Sequence, residues 1–276
     1  MSLVPIHNPP RLRTLRRARL AGPNQLGYRA QHRHLPFQFP MLLCQIPRAQ
    51  LLNLLPKGGE VAEIGVAEGD FSSDILANTA PRRLHLIDPW EHQERDDYAN
   101  DVNNVADERQ ESRFNAVRAR FQNEIAHGVV EVHRDYSEDA AIFFAAGQLD
   151  WIYVDGMHTE AAAHQDLTTY ARLVKDDGFI LGHDYTNHVQ ARAWNFGVVE
   201  AVNRFVKESG FEFVALTMEA FPTYLLGRKC SATQSLIDTI LRKVPYLVEI
   251  RDFPRHGSFE HKTVSIDGNL LVFPSF

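Results

Sequence analysis

From residue 60 onward, strand-like and helix-like stretches alternate, and this alternation restricts the possible folds more than any other feature of the chain. Runs rich in Val, Ile, Leu and Tyr, bounded by Asp or Gly, lie at 60–65, 83–88, 129–134, 149–155 and 179–184. Such runs read as strands buried on both faces. Between them, 70–78, 107–126, 137–145 and 159–174 carry helical spacing. Repeated strand–helix winding makes a parallel sheet with helices on both sides. A further helix is expected over 197–209, with its apolar residues on one core-facing stripe. Two strands then follow closely, at 211–217 and 223–228, joined only by Met218-Glu-Ala-Phe-Pro222. A parallel crossover needs about a dozen residues or more, so this pair must be antiparallel. The expected architecture is α/β: a doubly wound, seven-stranded, mostly parallel sheet with an antiparallel terminal hairpin.

Charge divides the chain at nearly the same point. Residues 1–59 hold nine Lys or Arg and no acid, while the remainder holds 20 basic and 35 acidic residues. Arg11, Arg13, Arg16, Arg17 and Arg19 lie in a stretch without periodicity. Three readings stay open for it: an extended arm on the acidic body or a partner subunit, a contact to nucleic acid or anionic membrane, and a processed targeting segment. The acidic body disfavours nucleic acid as a partner. No run approaches the roughly 18 apolar residues of a membrane span. Cys44 and Cys230 are the only cysteines and stand far apart, so no disulfide framework is implied and a cytoplasmic, reducing location is expected. Beyond Cys230, 232–243 reads as a helix; short β-like runs at 263–266 and 270–273 form either a hairpin or an oligomer contact.

Ligands of an open α/β sheet bind beyond the carboxyl ends of its strands. The first run passes into Glu63-Ile-Gly65-Val-Ala-Glu-Gly69, a turn that lets a ligand approach backbone N–H groups. Its glycines stand four apart and do not make the dinucleotide pattern G-x-G-x-x-G. Glu63 would repel a pyrophosphate and attract a cationic ligand. Asp88 closes the second run, Leu84-His-Leu-Ile-Asp88-Pro-Trp90, where an acid commonly holds ribose hydroxyls. Trp90 either stacks on an adenine or packs in the core. After the third run, Asp135-Tyr136-Ser137 places Asp135 to accept from an adenine amino group or to cap the next helix. The last two runs end in Asp155-Gly-Met-His158 and Gly178-Phe-Ile-Leu-Gly-His183-Asp184. As neighbouring strands about 4.8 Å apart, they would turn Asp155 and the His183-Asp184 pair toward one small volume suited to a cation or a general base. Residues 89–106, with Asp96, Asp97 and Asp101, form a polar insertion of the kind that lies over a site. Tyr185, Asn187, His188, Trp194 and Asn195 either line an acceptor pocket or form a plain loop.

Glu-x-Gly-x-x-x-Gly on the first strand, the acid closing the second, the Asp after the third and the antiparallel hairpin resemble class I S-adenosylmethionine-dependent methyltransferases, over roughly residues 58–228. Asp155-Gly-Met-His158 and the run ending in His183-Asp184 resemble, more narrowly, the metal-dependent O-methyltransferases of antibiotic sugars and other natural products. That resemblance implies S-adenosylmethionine as cofactor, held by Glu63, Gly65, Gly69, Asp88, Trp90, Asp135 and Tyr136. It implies a divalent metal, Mg or Mn, on Asp155, His183 and Asp184, with His158 as base and a small-molecule hydroxyl as acceptor. His183 stands where related enzymes often carry a carboxylate, and imidazole suits Mn, Fe, Ni or Zn better than Mg. The implied division is a basic arm (1–48), a methyltransferase domain (49–229) and a C-terminal extension (230–276), with homo-oligomer formation through arm or tail. Two competing readings are a scaffold that keeps the fold without catalysis and a nicotinamide-dependent oxidoreductase. The latter is disfavoured by the missing glycines, by Glu63 and by the antiparallel hairpin.

Overall fold

The apolar runs form the centre of one sheet. A computed structural model of the protein describes residues 39–99, 101–255, 257–266 and 269–276. Arg11, Arg13, Arg16, Arg17 and Arg19 lie outside the described residues. The chain begins with β1 (Met41–Cys44), α1 (Arg48–Leu52), β2 (Glu60–Ile64), α2 (Asp70–Thr79) and β3 (Arg83–Ile87). It continues through α3 (Asp107–Arg120), α4 (Gln122–Ala126), β4 (Val130–His133), α5 (Ser137–Ala140), β5 (Leu149–Val154) and α6 (Glu160–Ala171). Then come β6 (Val174–Gly182), α7 (Val189–Ala193), α8 (Val198–Glu208), β7 (Phe211–Thr217) and β8 (Tyr224–Arg228). The tail holds α9 (Ser231–Lys243), β9 (Leu247–Ile250), β10 (Glu260–Ile266) and β11 (Asn269–Ser275).

Among the described residues, nine strands make the main sheet, in the order β4-β3-β2-β5-β6-β8-β7-β1-β9. Neighbours from β4 to β6 are parallel, and β8 runs antiparallel to both β6 and β7. The expected count of seven is therefore corrected to nine. The two extra strands come from segments assigned to arm and tail: β1 is buried and pairs parallel with β7, and β9 pairs antiparallel with β1. Each has only four residues, too few to show a period.

Both faces of the sheet are covered. Leu51, Phe71, Ile75, Val117, Leu236 and Ile240 bring α1, α2, α3 and α9 against one core. Ala140, Leu167, Tyr170, Val202 and Phe205 bring α5, α6 and α8 against the other. The stretch read as one helix over 107–126 breaks at Phe121, and β6 begins at Val174, ahead of the run expected from 179, because the polar Lys175 to Asp177 hid the strand's start from the apolar pattern. In the tail, β10 and β11 pair as an antiparallel hairpin. Asn187 Nδ2 donates to the Phe259 carbonyl and Asn187 Oδ1 accepts from the His261 N–H, both at 2.9 Å, so the tail fixes the loop after β6. No helix among the described residues is long and apolar enough to cross a membrane.

Candidate active site

Beyond the carboxyl ends of β2 to β5 lies a cavity of about 770 Å³, within the size range of small-ligand pockets. Gly65 forms part of its wall at φ +83°, where a Cβ would stand 2.1 Å from the Asp155 carbonyl oxygen. Only glycine brings these two strand ends so close. The N–H groups of Val66 and Ala67 donate to Asp88 Oδ2 at 2.9 and 3.0 Å, and that of Trp90 donates to Asp88 Oδ1 at 2.8 Å. Asp88 thus ties the glycine turn to the end of β3 while lining the cavity. Asp135 and Tyr136 line it from the end of β4; α5 has no side-chain cap, so Asp135 does not cap it. Eight carboxyl side chains face the cavity against Arg95 and Arg113, which favours a cationic ligand.

Three residues of the implied cofactor set lie elsewhere. Trp90 is 1% exposed, its ring packs on Phe114 at 5.2 Å and its Nε1 donates to the Ala67 carbonyl at 2.9 Å, so it belongs to the core. Gly69 begins α2 at φ +74°, and its missing Cβ makes room for Phe121 and Val117. Glu63 is buried and accepts a hydrogen bond from the Ser72 hydroxyl. Burial pushes its pKa up to about 8 against the lowering effect of Ser72, so it holds a proton near neutral pH. It is therefore not the fixed negative charge that its sequence position implied.

Asp155, His158, His183 and Asp184 meet at one cluster against the cavity wall. Asp155 follows β5 and its N–H donates to the Ile64 carbonyl at 2.8 Å. His183 follows β6, its N–H donating to the Val154 carbonyl at 3.0 Å, and Asp184 takes a left-handed φ of +58° that aspartate tolerates better than most residues. His158 Nε2 lies 2.8 Å from Asp184 Oδ2 and 3.7 Å from Asp155 Oδ1. His183 Nδ1 lies 3.2 Å from Asp184 Oδ1 and 3.6 Å from Asp155 Oδ1. One ligand atom from each of Asp155, His158 and Asp184 falls within 4.8 Å of the others. Thr159, not His158, caps α6 by accepting from the Ala162 N–H.

Burial opposes charge on every member of this cluster, and the pairing overrides it. His183 and His158 hold Asp155 well below the usual carboxylate range, and Asp184 is likewise lowered by both imidazoles. The carboxylates of Asp101, Asp155 and Asp184 raise His158 well above the usual imidazole value, and the charge of Asp155 raises His183 to about 9. Despite these neighbours, His158 Nε2 is buried without a hydrogen-bond partner: its short approach to Asp184 lies off the line of a ring N–H.

Three further residues meet the cluster or the cavity, of which Arg48 and Asp166 were not anticipated. Asp101, in the polar insertion, lies 3.2 Å from His158 Nδ1; the abundance of carboxylates there was its only signal. Arg48 on α1 donates to Asp155 Oδ2 at 3.2 Å and to the Tyr153 hydroxyl at 3.1 Å, from a segment assigned to the arm. Asp166 on α6 lines the cavity, is 6% exposed and accepts from the Ser137 hydroxyl; burial pushes it up to about 7. Tyr185 and Asn187 are buried, bonded to Asn203 and to the tail.

No curated protein matches the chain. Solved structures similar at low identity include the following three. An O-methyltransferase family protein from Burkholderia thailandensis is 14% identical with a TM-score of 0.48, covering 67% of this chain and 56% of that one. N-methyltransferase NodS from Bradyrhizobium japonicum WM9 is 13% identical with a TM-score of 0.46, covering 64% and 91%. Spermidine synthase from Thermotoga maritima is 13% identical with a TM-score of 0.44, covering 70% and 62%. The chain thus spans under two thirds of the first and third of these. Residues 62–185, a little under half of the chain, match the family model described as "Methyltransferase domain". The matched stretch, from within β2 to Tyr185, carries the cavity wall and the acid–histidine cluster.

Proposed function

We propose that the protein is an S-adenosylmethionine-dependent methyltransferase that methylates a hydroxyl of a small acceptor, such as a sugar or natural product, with a divalent cation between Asp155 and Asp184. The observation that carries this reading is the pair of carboxylates following adjacent strands, close to one another, with Asp155 at the wall of an acid-lined cavity. The separations fit one ion, because two ligands of a cation can stand up to about twice the 2.0–2.6 Å cation–oxygen distance apart. The unpartnered His158 Nε2 and the donor set of two carboxylates and imidazole fit it as well.

S-adenosylmethionine supplies, when bound, a sulfonium methyl group whose bond to sulfur breaks as the new O–CH3 bond forms. A divalent cation, when bound, lowers the pKa of a coordinated hydroxyl and orients it. Asp88 and Asp135, which line the cavity beyond β3 and β4, would meet the ribose and adenine ends of the cofactor, and the surplus of carboxylates favours its sulfonium and ammonium charges. His183 completes the ligand set with Asp155 and Asp184. His158, held at Nδ1 by Asp101, would receive the hydroxyl proton at Nε2. The Phe196 ring, 4.4 Å from that of His158, shields the proton from water.

A second assignment of the imidazoles is favoured by the convergence of Asp155, His158 and Asp184, with His158 as the third ligand and His183 as the base. Calorimetry with Mn2+ separates the two: the histidine whose change to Gln abolishes binding is the ligand. Calorimetry with S-adenosylmethionine tests the parent reading. Binding in the micromolar range, and chelator-sensitive methylation within a panel of polyhydroxylated acceptors, is expected. An absence of binding at millimolar cofactor would overturn it.

A further inference from the structure

A second group of metal-ligand side chains lies outside the cavity, on the sheet face where α5 and the turn after it pack. In the parallel register His85 pairs with Glu131, and His133 lies opposite Ile87. Residues two apart on a strand share a face, so His85, Glu131 and His133 project together. Phe144 meets the His85 ring edge-on at 4.8 Å and Phe143 stacks on His133 at 5.7 Å, leaving both imidazoles buried. His85 Nδ1 lies 3.0 Å from His133 Nε2. Glu131, which is half exposed, places Oε2 3.7 Å from His85 Nδ1 and Oε1 3.9 Å from His133 Nε2.

These spacings are those of a tetrahedral zinc shell. Zn–N and Zn–O bonds of 2.0–2.2 Å put neighbouring ligand atoms about 3.3–3.5 Å apart, and the observed distances bracket that value. The orientation of His85 is fixed from behind: its Nε2 faces Glu60 Oε1 at 3.2 Å. Glu60 is itself held by Gln148 at 2.6 Å and by Arg82 at 2.8 Å. A carboxylate on the far nitrogen is the usual partner of a metal-ligating imidazole, because it sets the tautomer and points the lone pair at the metal. The 3.0 Å hydrogen bond places one proton between His85 Nδ1 and His133 Nε2. Its shift to His133 Nδ1 bares a second lone pair with no change in charge. Arg83, half exposed, pairs with Glu131 at 3.5 Å from the solvent side.

We propose that His85, His133 and Glu131 form a second metal site, which takes a tetrahedral transition cation of the Zn2+ type with water in the fourth position. It ties the edge strand β4 to β3, two residues before Asp135, so its occupancy braces one end of the cavity. Two imidazoles select against Mg2+, more strongly than the two carboxylates and one imidazole of the Asp155–Asp184 site.

The test uses the full chain, stripped by chelator and titrated with Zn2+ by calorimetry in excess Mg2+. D155N/D184N protein is expected to bind about one equivalent of Zn2+ and, with Co2+ instead, to show the intense visible absorption of tetrahedral coordination. Adding E131Q should weaken Zn2+ at least about tenfold, and adding H133A should abolish binding. E131Q in the otherwise unaltered chain, an exposed change that leaves the fold intact, should also weaken one Zn2+ equivalent by the same factor. No Zn2+ binding to D155N/D184N protein, or binding indifferent to both E131Q and H133A, would overturn the proposal.

Discussion

His158 Nδ1 lies 3.2 Å from Asp101 Oδ2, so a carboxylate from the insertion after β3 holds the imidazole that faces Asp155 and Asp184. A base held this way presents one tautomer, with Nε2 toward the reacting group. Asp101→Asn keeps the shape and removes the charge. The methyl-transfer rate, followed as S-adenosylhomocysteine release, is expected to fall about 10- to 100-fold, as when an outer partner of a site histidine is lost. Cofactor affinity should change by less than about twofold, since Asp101 does not line the cavity. A rate equal to wild type would remove Asp101 from the mechanism.

The strand ends were legible because a strand buried on both faces leaves an unbroken apolar run whose last residue is a polar one at the sheet's edge. Asp88, Asp135 and Asp155 were found in that way, and the meeting of Asp155 with Asp184 follows from the adjacency of β5 and β6. Where a side chain turns beyond the strand end was not legible. Trp90 turns back into the core through a left-handed φ of +43°, which no local pattern announces. Arg48 and Asp101 come from segments without periodicity, placed by tertiary contacts with Asp155 and His158. Asp166 is hidden in an alanine-rich helix, where one acid at a buried position looks like one at an exposed position.

The approach of Gly65 to β5 gives a stability prediction. A Cβ at φ +83° would be strained, and it would also meet the Asp155 carbonyl, which cannot retreat without moving β5. Gly65→Ala is expected to cost at least about 2 kcal/mol and to weaken cofactor binding, measured by urea denaturation and calorimetry. A loss below about 0.5 kcal/mol would mean that β2 and β5 separate freely at this point.

Asp166 sets a pH dependence. Burial raises its carboxyl pKa to about 7, so the folded protein binds a proton that the unfolded chain releases near the ordinary aspartate value. Stability from this group is complete below about pH 4 and is lost as pH rises through about 7. Asp166→Asn mimics the protonated form and lacks that slope. Relative to the variant, wild type should lose about 2 kcal/mol between roughly pH 5 and pH 8, read from urea midpoints at both values. Parallel pH curves for the two proteins would refute a buried, raised Asp166.

Arg48 and a bound cation make opposite demands on Asp155. The guanidinium donates to Asp155 Oδ2 at 3.2 Å and rests over the Phe71 ring at 4.3 Å, supplying positive charge where the ion would otherwise supply it. Without a cation, Arg48→Ala leaves a largely buried carboxylate short of a partner. The expected cost is about 1–2 kcal/mol, below that of a fully buried pair because Arg48 is partly exposed. With a cation the sign reverses, since removing a like charge near the ion favours its binding. Saturating Mn2+ should therefore raise the melting temperature of Arg48→Ala protein more than that of wild type, while Arg48→Lys, which keeps the charge, should follow wild type. A smaller Mn2+ response in Arg48→Ala would show instead that Arg48 holds Asp155 in the geometry the ion requires, and that orientation outweighs repulsion at this site.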